Sequence, residues 1–291
     1  EDKLIAMRQR GEIQGYRYDG AWMFKLIPWI VGIFEFQLDR MDREFAQLCE
    51  EYSPYWGRQS LRYGPKLMQV VPVEKEIPAK QEALTYQQVS NLIEKAVSFM
   101  VVECICKKSQ GLLDHPCKKP LEVCLAMAPI PGVFDNHPMG GRVIDRDEAY
   151  AILRKAEEAA LVHLTYNVEN GHHYICNCCG CCCGMLRAVA ASPFSVVNSH
   201  YFAEIDPDAC SGCGICADER CQVRAIKQEG DTYTVIREKC IGCGLCVTTC
   251  PSKAVRLIHK DAKDLVYPPR DDVAWLEERA RQRGVDFSVY K

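Results

Sequence analysis

The strongest constraint on this chain is a cysteine spacing that occurs twice. CSGCGICADERC places thiols at Cys210, Cys213, Cys216 and Cys221, and CIGCGLCVTTCP places them at Cys240, Cys243, Cys246 and Cys250, followed by Pro251. The units are offset by 30 residues through the third cysteine and by 29 at the fourth, and Ala225-Ile226 matches Ala254-Val255. A C-x-x-C-x-x-C loop wraps three thiolates around one polynuclear centre while backbone amides point at its sulfurs. Gly212, Gly214, Gly242 and Gly244 let the backbone approach that closely. Zinc would need only four thiols per ion in paired C-x-x-C form, and would leave the triple spacing and Pro251 without a purpose.

This internal duplication resembles the bacterial two-cluster ferredoxin, a small β-α-β pair holding two [4Fe–4S] cubanes, over about Phe202 to Ile258. The resemblance implies that the fourth cysteine of each run crosses to the other cluster. It assigns Cys210, Cys213, Cys216 and Cys250 to the first cluster, and Cys240, Cys243, Cys246 and Cys221 to the second. The chain departs from the pattern in one place. Four residues, not three, separate Cys216 from Cys221, and Gln222 stands where the motif has proline. A loop can absorb an extra residue, so the ligand assignment stays and altered surroundings are expected at the second cluster.

The chain holds 19 cysteines, so the repeat leaves eleven. Cys49 lies beside Phe45 on a helical stripe and reads as a small buried hydrophobe. The other ten are Cys104, Cys106, Cys117 and Cys124, then Cys176, Cys178, Cys179, Cys181, Cys182 and Cys183 in the tract YICNCCGCCCG. In a strand from Tyr174 to Cys179, Cys176 and Cys178 share a face and Cys179 looks away. Adjacent pairs such as Cys178-Cys179 or Cys181-Cys182 do not easily reach one small ion together, which argues for two neighbouring metal centres or partly structural thiols. We expect one or two further [4Fe–4S] clusters here. The first assignment puts one on Cys104, Cys106, Cys117 and Cys124 and another on four residues of the tract; the alternative is a mixed arrangement with shared ligands. Zinc is a further alternative, because the triple spacing is missing. His115, His172 and His173 read as strand or loop residues, and Lys107, Lys108, Lys118 and Lys119 either offset thiolate charge or stay solvated.

With 291 residues the chain can bury two cores without metal staples. Its start, EDKLIAMRQRGEIQ, lacks the apolar core of a signal peptide, which favours reduced, cytoplasmic thiols over disulfides. That charged start has no initiating methionine, so residues before Glu1 are expected. A net charge of -3 gives no broad pull toward nucleic acid. AWMFKLIPWIVGIFEF, Ala21 to Phe36, is interrupted by Lys25, Pro28 and Glu35; it is too broken to span a membrane and is expected in a core rather than on a docking surface. No G-x-G-x-x-G or phosphate loop appears, so a nucleotide or flavin site is not expected.

Apolar spacing predicts helices over Gln37–Tyr52, Tyr86–Val97 and from Asp145 onward, the last opened by a capping box with Glu148. Pro54, Gly57, Gly64 and Pro65 mark a loop. LVHLTYNV, the Asn-Gly turn signal in Glu169 to Gly171, and HHYICNC predict a hairpin. A helix followed by a hairpin points to a winged-helix-like module. Asp271 to Gly284 reads as a capped amphipathic helix that packs on its own body or docks on another subunit. The expected architecture is α+β. A helical region and connector occupy 1–80, a winged-helix-like cysteine-rich region 81–200, a two-cluster ferredoxin-like βαβ repeat 201–260 and a tail helix 261–291.

Cys104 to Gly184 followed by the repeat resembles the family of 4Fe–4S binding proteins of anaerobic bacteria and archaea, which join a winged-helix-like first part to a two-cluster ferredoxin part. The resemblance implies electron transfer in an anaerobe, without naming donor or acceptor. Several expected clusters and no substrate-pocket signature lead us to expect an electron-transfer subunit of an anaerobic oxidoreductase complex, with no catalytic residue of its own. It would exchange single electrons at low potential with partner subunits and a low-potential carrier, without spanning a membrane. A redox-sensing transcription regulator and a cluster carrier are the alternatives. Against the regulator, Asp145 to Leu161 carries five acidic residues and three basic ones, and no nucleic-acid partner is expected.

Overall fold

The computed structural model describes residues 1–77, 87–191 and 197–288. After helix α1 (Asp2–Gln9), strands β1 (Ile13–Tyr18) and β2 (Ala21–Leu26) form a hairpin where the sequence predicts only helix and connector. Its turn is Asp19-Gly20, at φ 49° and 77°, the pair of left-handed residues that matches a hairpin's twist. The apolar stretch expected in a core divides here. Met23 and Leu26 on β2 are exposed, because β2 belongs to a two-stranded sheet, whereas Gly32, Phe34 and Leu38 are buried further along.

Residues Glu35–Arg40 make a 3₁₀ turn, and α2 (Arg43–Leu61) starts on Asp42, whose carboxylate accepts from the Phe45 N–H. α2 runs through Pro54, where a loop is predicted; losing one N–H from the ladder is tolerated on this exposed stretch. Next come β3 (Met68–Val71), α3 (Val89–Glu94), β4 (Ser98–Glu103), α4 (Ile105–Leu112), β5 (Glu122–Ala128) and β6 (Arg142–Ile144). The predicted start of α3 at Tyr86 lies outside the described residues. α5 (Arg146–Glu158), β7 (Val162–Tyr166), β8 (Tyr174–Cys178), α6 (Gly184–Ala191) and β9 (Val197–Asn198) complete this part. Asp145 caps α5 by accepting from the Glu148 N–H, and the helix buries Ala149, Ile152, Leu153 and Ala156 with Phe99, Val101 and Leu125 of the sheet.

The strands form one seven-stranded sheet in the order β6-β4-β5-β8-β7-β3-β9, antiparallel except for the β3–β9 pair. This corrects the winged-helix-like expectation. The helix and hairpin are present, but β8 also pairs with β5 and β7 with β3, so the hairpin is the middle of a sheet instead of a wing. The polar alternation of β7 conceals its burial on both faces. His163 is satisfied by Asn177 at 2.5 Å, and the Thr165 hydroxyl donates to the Tyr174 carbonyl at 2.7 Å.

In the C-terminal part β10 (Tyr201–Ile205) pairs with β13 (Val255–His259), and β11 (Ile226–Glu229) forms a hairpin with β12 (Thr232–Val235). α7 (Asp272–Arg283) is capped by Asp271 and ended by Gly284 at φ 67°. It packs on its own body. Trp275 is buried and donates its indole N–H to the Lys66 carbonyl, and Arg279 donates to the carbonyls of Ser60, Tyr63 and Pro65. Among the described residues no helix is long and apolar enough to cross a membrane.

Candidate metal centres

The ten thiols ahead of the repeat sort into two sets that cut across sequence order. Cys117, from the loop between α4 and β5, joins Cys179, Cys181 and Cys182, and all four sulfurs lie within 4.8 Å of one another. Cys117 Sγ is 3.8 Å from Cys179 Sγ and 3.5 Å from Cys181 Sγ, and Cys181 and Cys182 are 3.6 Å apart. A tetrahedral ion with metal–sulfur bonds of about 2.3 Å holds its sulfurs about 3.8 Å apart, so this set fits a single ion. The structure thus places Cys117 with three thiols of the tract and not with Cys104, Cys106 and Cys124. Adjacent Cys181 and Cys182 also reach one site together, contrary to expectation, because strand alternation ends at Cys178 and the chain turns there.

The other six thiols close a ring. Taken in the order Cys104, Cys106, Cys183, Cys178, Cys176, Cys124 and back to Cys104, each lies within hydrogen-bonding reach of its two neighbours. Secondary structure fixes all six. Cys104 is the N-cap of α4 and Cys106 lies in its first turn, while Cys183 immediately precedes α6. Cys124 lies on β5, and Cys176 and Cys178 share a face of β8. Leu125 pairs with Ile175 and Ala126 with Tyr174, so the same register puts Cys124 opposite Cys176. Cys179, on the opposite side, belongs to the other set.

Within the ring, hydrogen bonds from Cys106 and Cys124 hold Cys104 well below the usual thiol range, against its burial. Those from Cys106 and Cys178 do the same for Cys183. Cys176 is lowered to about 6 by Cys124 and Cys178. Cys106, Cys124 and Cys178 are raised because each donates to two neighbours, and burial adds to the effect. The Lys107 charge also lowers Cys104; its ammonium donates to the Pro120 carbonyl, as Lys108 does to Leu38 and Lys119 to Ala159. Sequence reasoning missed Glu35. Burial pushes its carboxyl up to about 8 against a hydrogen bond from the Gly32 N–H, and negative charge on Cys176 and Cys104 adds to the rise. The one signal was a lone carboxylate in an apolar run.

The remaining predicted residues serve the fold. Cys49 is half-buried among Phe45, Leu38 and Met100, and burial raises its thiol to about 11. His172 hydrogen-bonds Thr165, and His173 the Gly171 carbonyl.

In the repeat, two cavities gather the thiols four by four. One is lined by Cys210, Cys213, Cys216 and Cys250, the other by Cys240, Cys243, Cys246 and Cys221. Each therefore takes three sulfurs from one loop and the fourth from the other run. Gly212, Gly214, Gly242 and Gly244 all have φ between 62° and 79°. A Cβ on Gly242 would stand 2.1 Å from the Tyr201 carbonyl oxygen, so no other residue fits there. Backbone amides reach the sulfurs, Ala203 N–H donating to Cys240 at 3.2 Å and Ala225 N–H to Cys221 at 3.1 Å. Burial pushes Cys243 up to about 12 and Cys216 to about 11, with neighbouring thiols adding; iron bound in the cavity would supply the positive charge that lets such thiols ionise.

Residues 203–257 match the family model described as a 4Fe-4S dicluster domain. The C-terminal part is a 4Fe–4S ferredoxin-type domain. No curated protein matches the chain.

The extra residue of the ferredoxin-type domain has a structural use. Cys216–Arg220 forms one π-type turn, closed by the Cys221 N–H donating to the Cys216 carbonyl at 3.1 Å. Arg220 at its end is 6% exposed. Its guanidinium donates to the carbonyls of Leu245 (3.0 Å), Glu158 (2.9 Å) and Glu157 (2.8 Å) and to the Thr248 hydroxyl (3.1 Å), tying the end of α5 to the second cysteine loop. Gln222, in the place of the motif's proline, accepts from the Gly180 N–H at 3.1 Å. The cysteine tract thus rests on the residue next to Cys221. Cys178 and Cys183 of the ring share one apolar core with Cys221, Cys240 and Cys243.

Proposed function

We propose that this chain is an iron–sulfur electron relay, the wiring subunit of an anaerobic, cytoplasmic oxidoreductase complex. What supports the reading is the contact just described, with thiols of the first part and thiols of the second ferredoxin-type cavity packed into one core. Bound [4Fe–4S] clusters supply one-electron chemistry at low potential. In this reading Cys210, Cys213, Cys216 and Cys250 hold one cluster, Cys240, Cys243, Cys246 and Cys221 the other, and the cysteine sets of the first part hold further metal.

The chain's own residues set the conditions for transfer. The Ala203 and Ala225 amides donate to ligand sulfurs and favour the added negative charge of the reduced state. Val162, Val223 and Ile241 keep water out of the second cavity's walls, which limits reorganisation when charge moves. Arg220 and the Gly180–Gln222 contact hold the two parts together, so the tunnelling distance stays fixed. Partner subunits and a low-potential carrier then supply and remove electrons.

The test is stepwise reduction of the anaerobically purified chain with dithionite, followed by electron paramagnetic resonance and by exchange with a low-potential ferredoxin or viologen. The reading expects two cubane signals together with a further redox-active species, all re-oxidised by the carrier. A chain that takes up no electrons, or none outside the ferredoxin-type domain, contradicts it.

A further inference from the structure

We propose that the ring of Cys104, Cys106, Cys183, Cys178, Cys176 and Cys124 is the site of a single iron–sulfur cluster larger than a cubane, held by all six thiolates. The proposal rests on the iron–sulfur reading of the first part and specifies the cofactor class there.

One cubane takes four thiolates, and two separate cubanes take eight. Six thiolates match two cubane halves that share two bridging thiolates. The ring has no break that would set four ligands apart from two spares: each of the six thiols has its two ring neighbours as hydrogen-bond partners, the circuit closes, and strand register independently puts Cys124 of β5 opposite Cys176 of β8.

Among the described residues, the set of sulfurs lying mutually within 4.8 Å is the Cys117 set, which fits one tetrahedral ion. Among the described residues no three ring sulfurs lie mutually that close, so the ring is not the tight four-sulfur site that a single ion takes.

Six thiolates in a largely buried site need positive potential around them. Two helices aim their N-termini at the ring: Cys104 accepts from the Lys107 N–H at the start of α4, and Cys183 from the Leu186 N–H at the start of α6. Lys107, 4% exposed, adds a full charge beside Cys104. Three sulfurs stand on β5 and β8 and three at helix starts, so sheet and helices fix the ring before metal enters.

The experiment uses the full chain, purified and reconstituted anaerobically. Single variants Cys106→Ser, Cys124→Ser, Cys178→Ser and their three ring companions are compared by iron and sulfide content and by Mössbauer spectroscopy. We expect all six to remove or alter the same spectral component, with a loss of up to about eight irons, while the two ferredoxin-type cubane signals persist. Those persisting signals show that the variants fold, and they separate this proposal from the relay itself. Native mass spectrometry of the unsubstituted chain, with Cys117→Ser subtracting the neighbouring site, gives the same answer where a variant fails to fold. It should find about eight irons beyond the two cubanes. The proposal is overturned if two ring substitutions leave the spectrum at wild type while the other four each remove about four irons, the pattern of one cubane with spare thiols. Zinc, or no metal, in the ring of a chain that keeps both cubane signals overturns it equally.

Discussion

Arg220 gives the sharpest test of how the two parts of this chain are joined. It occupies the stretch that makes the first cysteine run one residue longer than the second, it is 6% exposed, and its guanidinium makes four hydrogen bonds, two of them across the junction to the carbonyls of Glu157 and Glu158. Each hydrogen bond from a charged donor contributes roughly 1.5–3 kcal/mol, but these share a single desolvation penalty and do not add. Removing the guanidinium leaves neutral groups buried without a donor, the carbonyls of Glu157, Glu158 and Leu245, at about 1–3 kcal/mol for a group that water does not reach. Arg220→Ala is therefore expected to destabilise the chain by about 2–4 kcal/mol. Arg220→Lys should recover only part of this, since an ammonium cannot fork toward three carbonyls on two elements. The assay is anaerobic guanidinium unfolding, followed by far-UV circular dichroism and by loss of visible cluster absorption. Because cluster loss makes unfolding irreversible, rates are compared along with midpoints. In parallel, electron exchange between the first part and the ferredoxin-type domain should slow. An alanine variant within about 0.5 kcal/mol of wild type, with unchanged exchange, would refute the reasoning.

Three further outcomes follow from single contacts. Gly180→Ala puts a Cβ 2.0 Å from the Gln222 carbonyl oxygen, so the tract or the ferredoxin-type domain must shift at a cost of about 1–3 kcal/mol; Gly184→Ala, whose Cβ meets nothing within 4 Å, should leave the melting midpoint unchanged. Trp275→Ala should cost about 3–5 kcal/mol by emptying the site where α7 packs, and limited proteolysis should then cut near Asp271; an uncut, equally stable variant counts against that packing role. Burial, with the Arg8 charge adding, lowers His137 to about 4. Below about pH 6.5 the unfolded chain binds a proton that the native chain refuses until about pH 4, so stability should fall as pH drops through that window. His137→Gln should flatten the slope, and an equally steep slope in the variant would show that another group sets it.

What the sequence reveals depends on whether a feature is local. The two cysteine runs are legible because ligand spacing, glycines and proline sit within a dozen residues, and the cavities then gather Cys250 with the first triplet and Cys221 with the second. The caps of α5 and α7 are legible for the same reason. The sorting of the other ten thiols is not local. Cys117 leaves its sequence neighbours because its loop crosses to the turn after β8, and only sheet register places Cys124 opposite Cys176. Pairing order hides the seven-stranded sheet too, since a helix and hairpin read the same whether the hairpin is a free wing or the centre of a sheet. Asp19-Gly20 is a local hairpin signal too, and the apolar run that follows it masks the strand β2. Gln222 and Arg220 look like flaws in a motif until the junction they serve is seen.

The central claim is that metal centres continue from the ferredoxin-type domain into the cysteine-rich sheet. The most direct test measures iron, acid-labile sulfide and zinc together, per chain, on protein purified without oxygen. The account predicts more than eight irons, rising to about sixteen with matching sulfide when the six-thiol ring is filled. About eight irons and eight sulfides, with zinc or nothing in the first part, would confine electron transfer to residues 203–257 and contradict it.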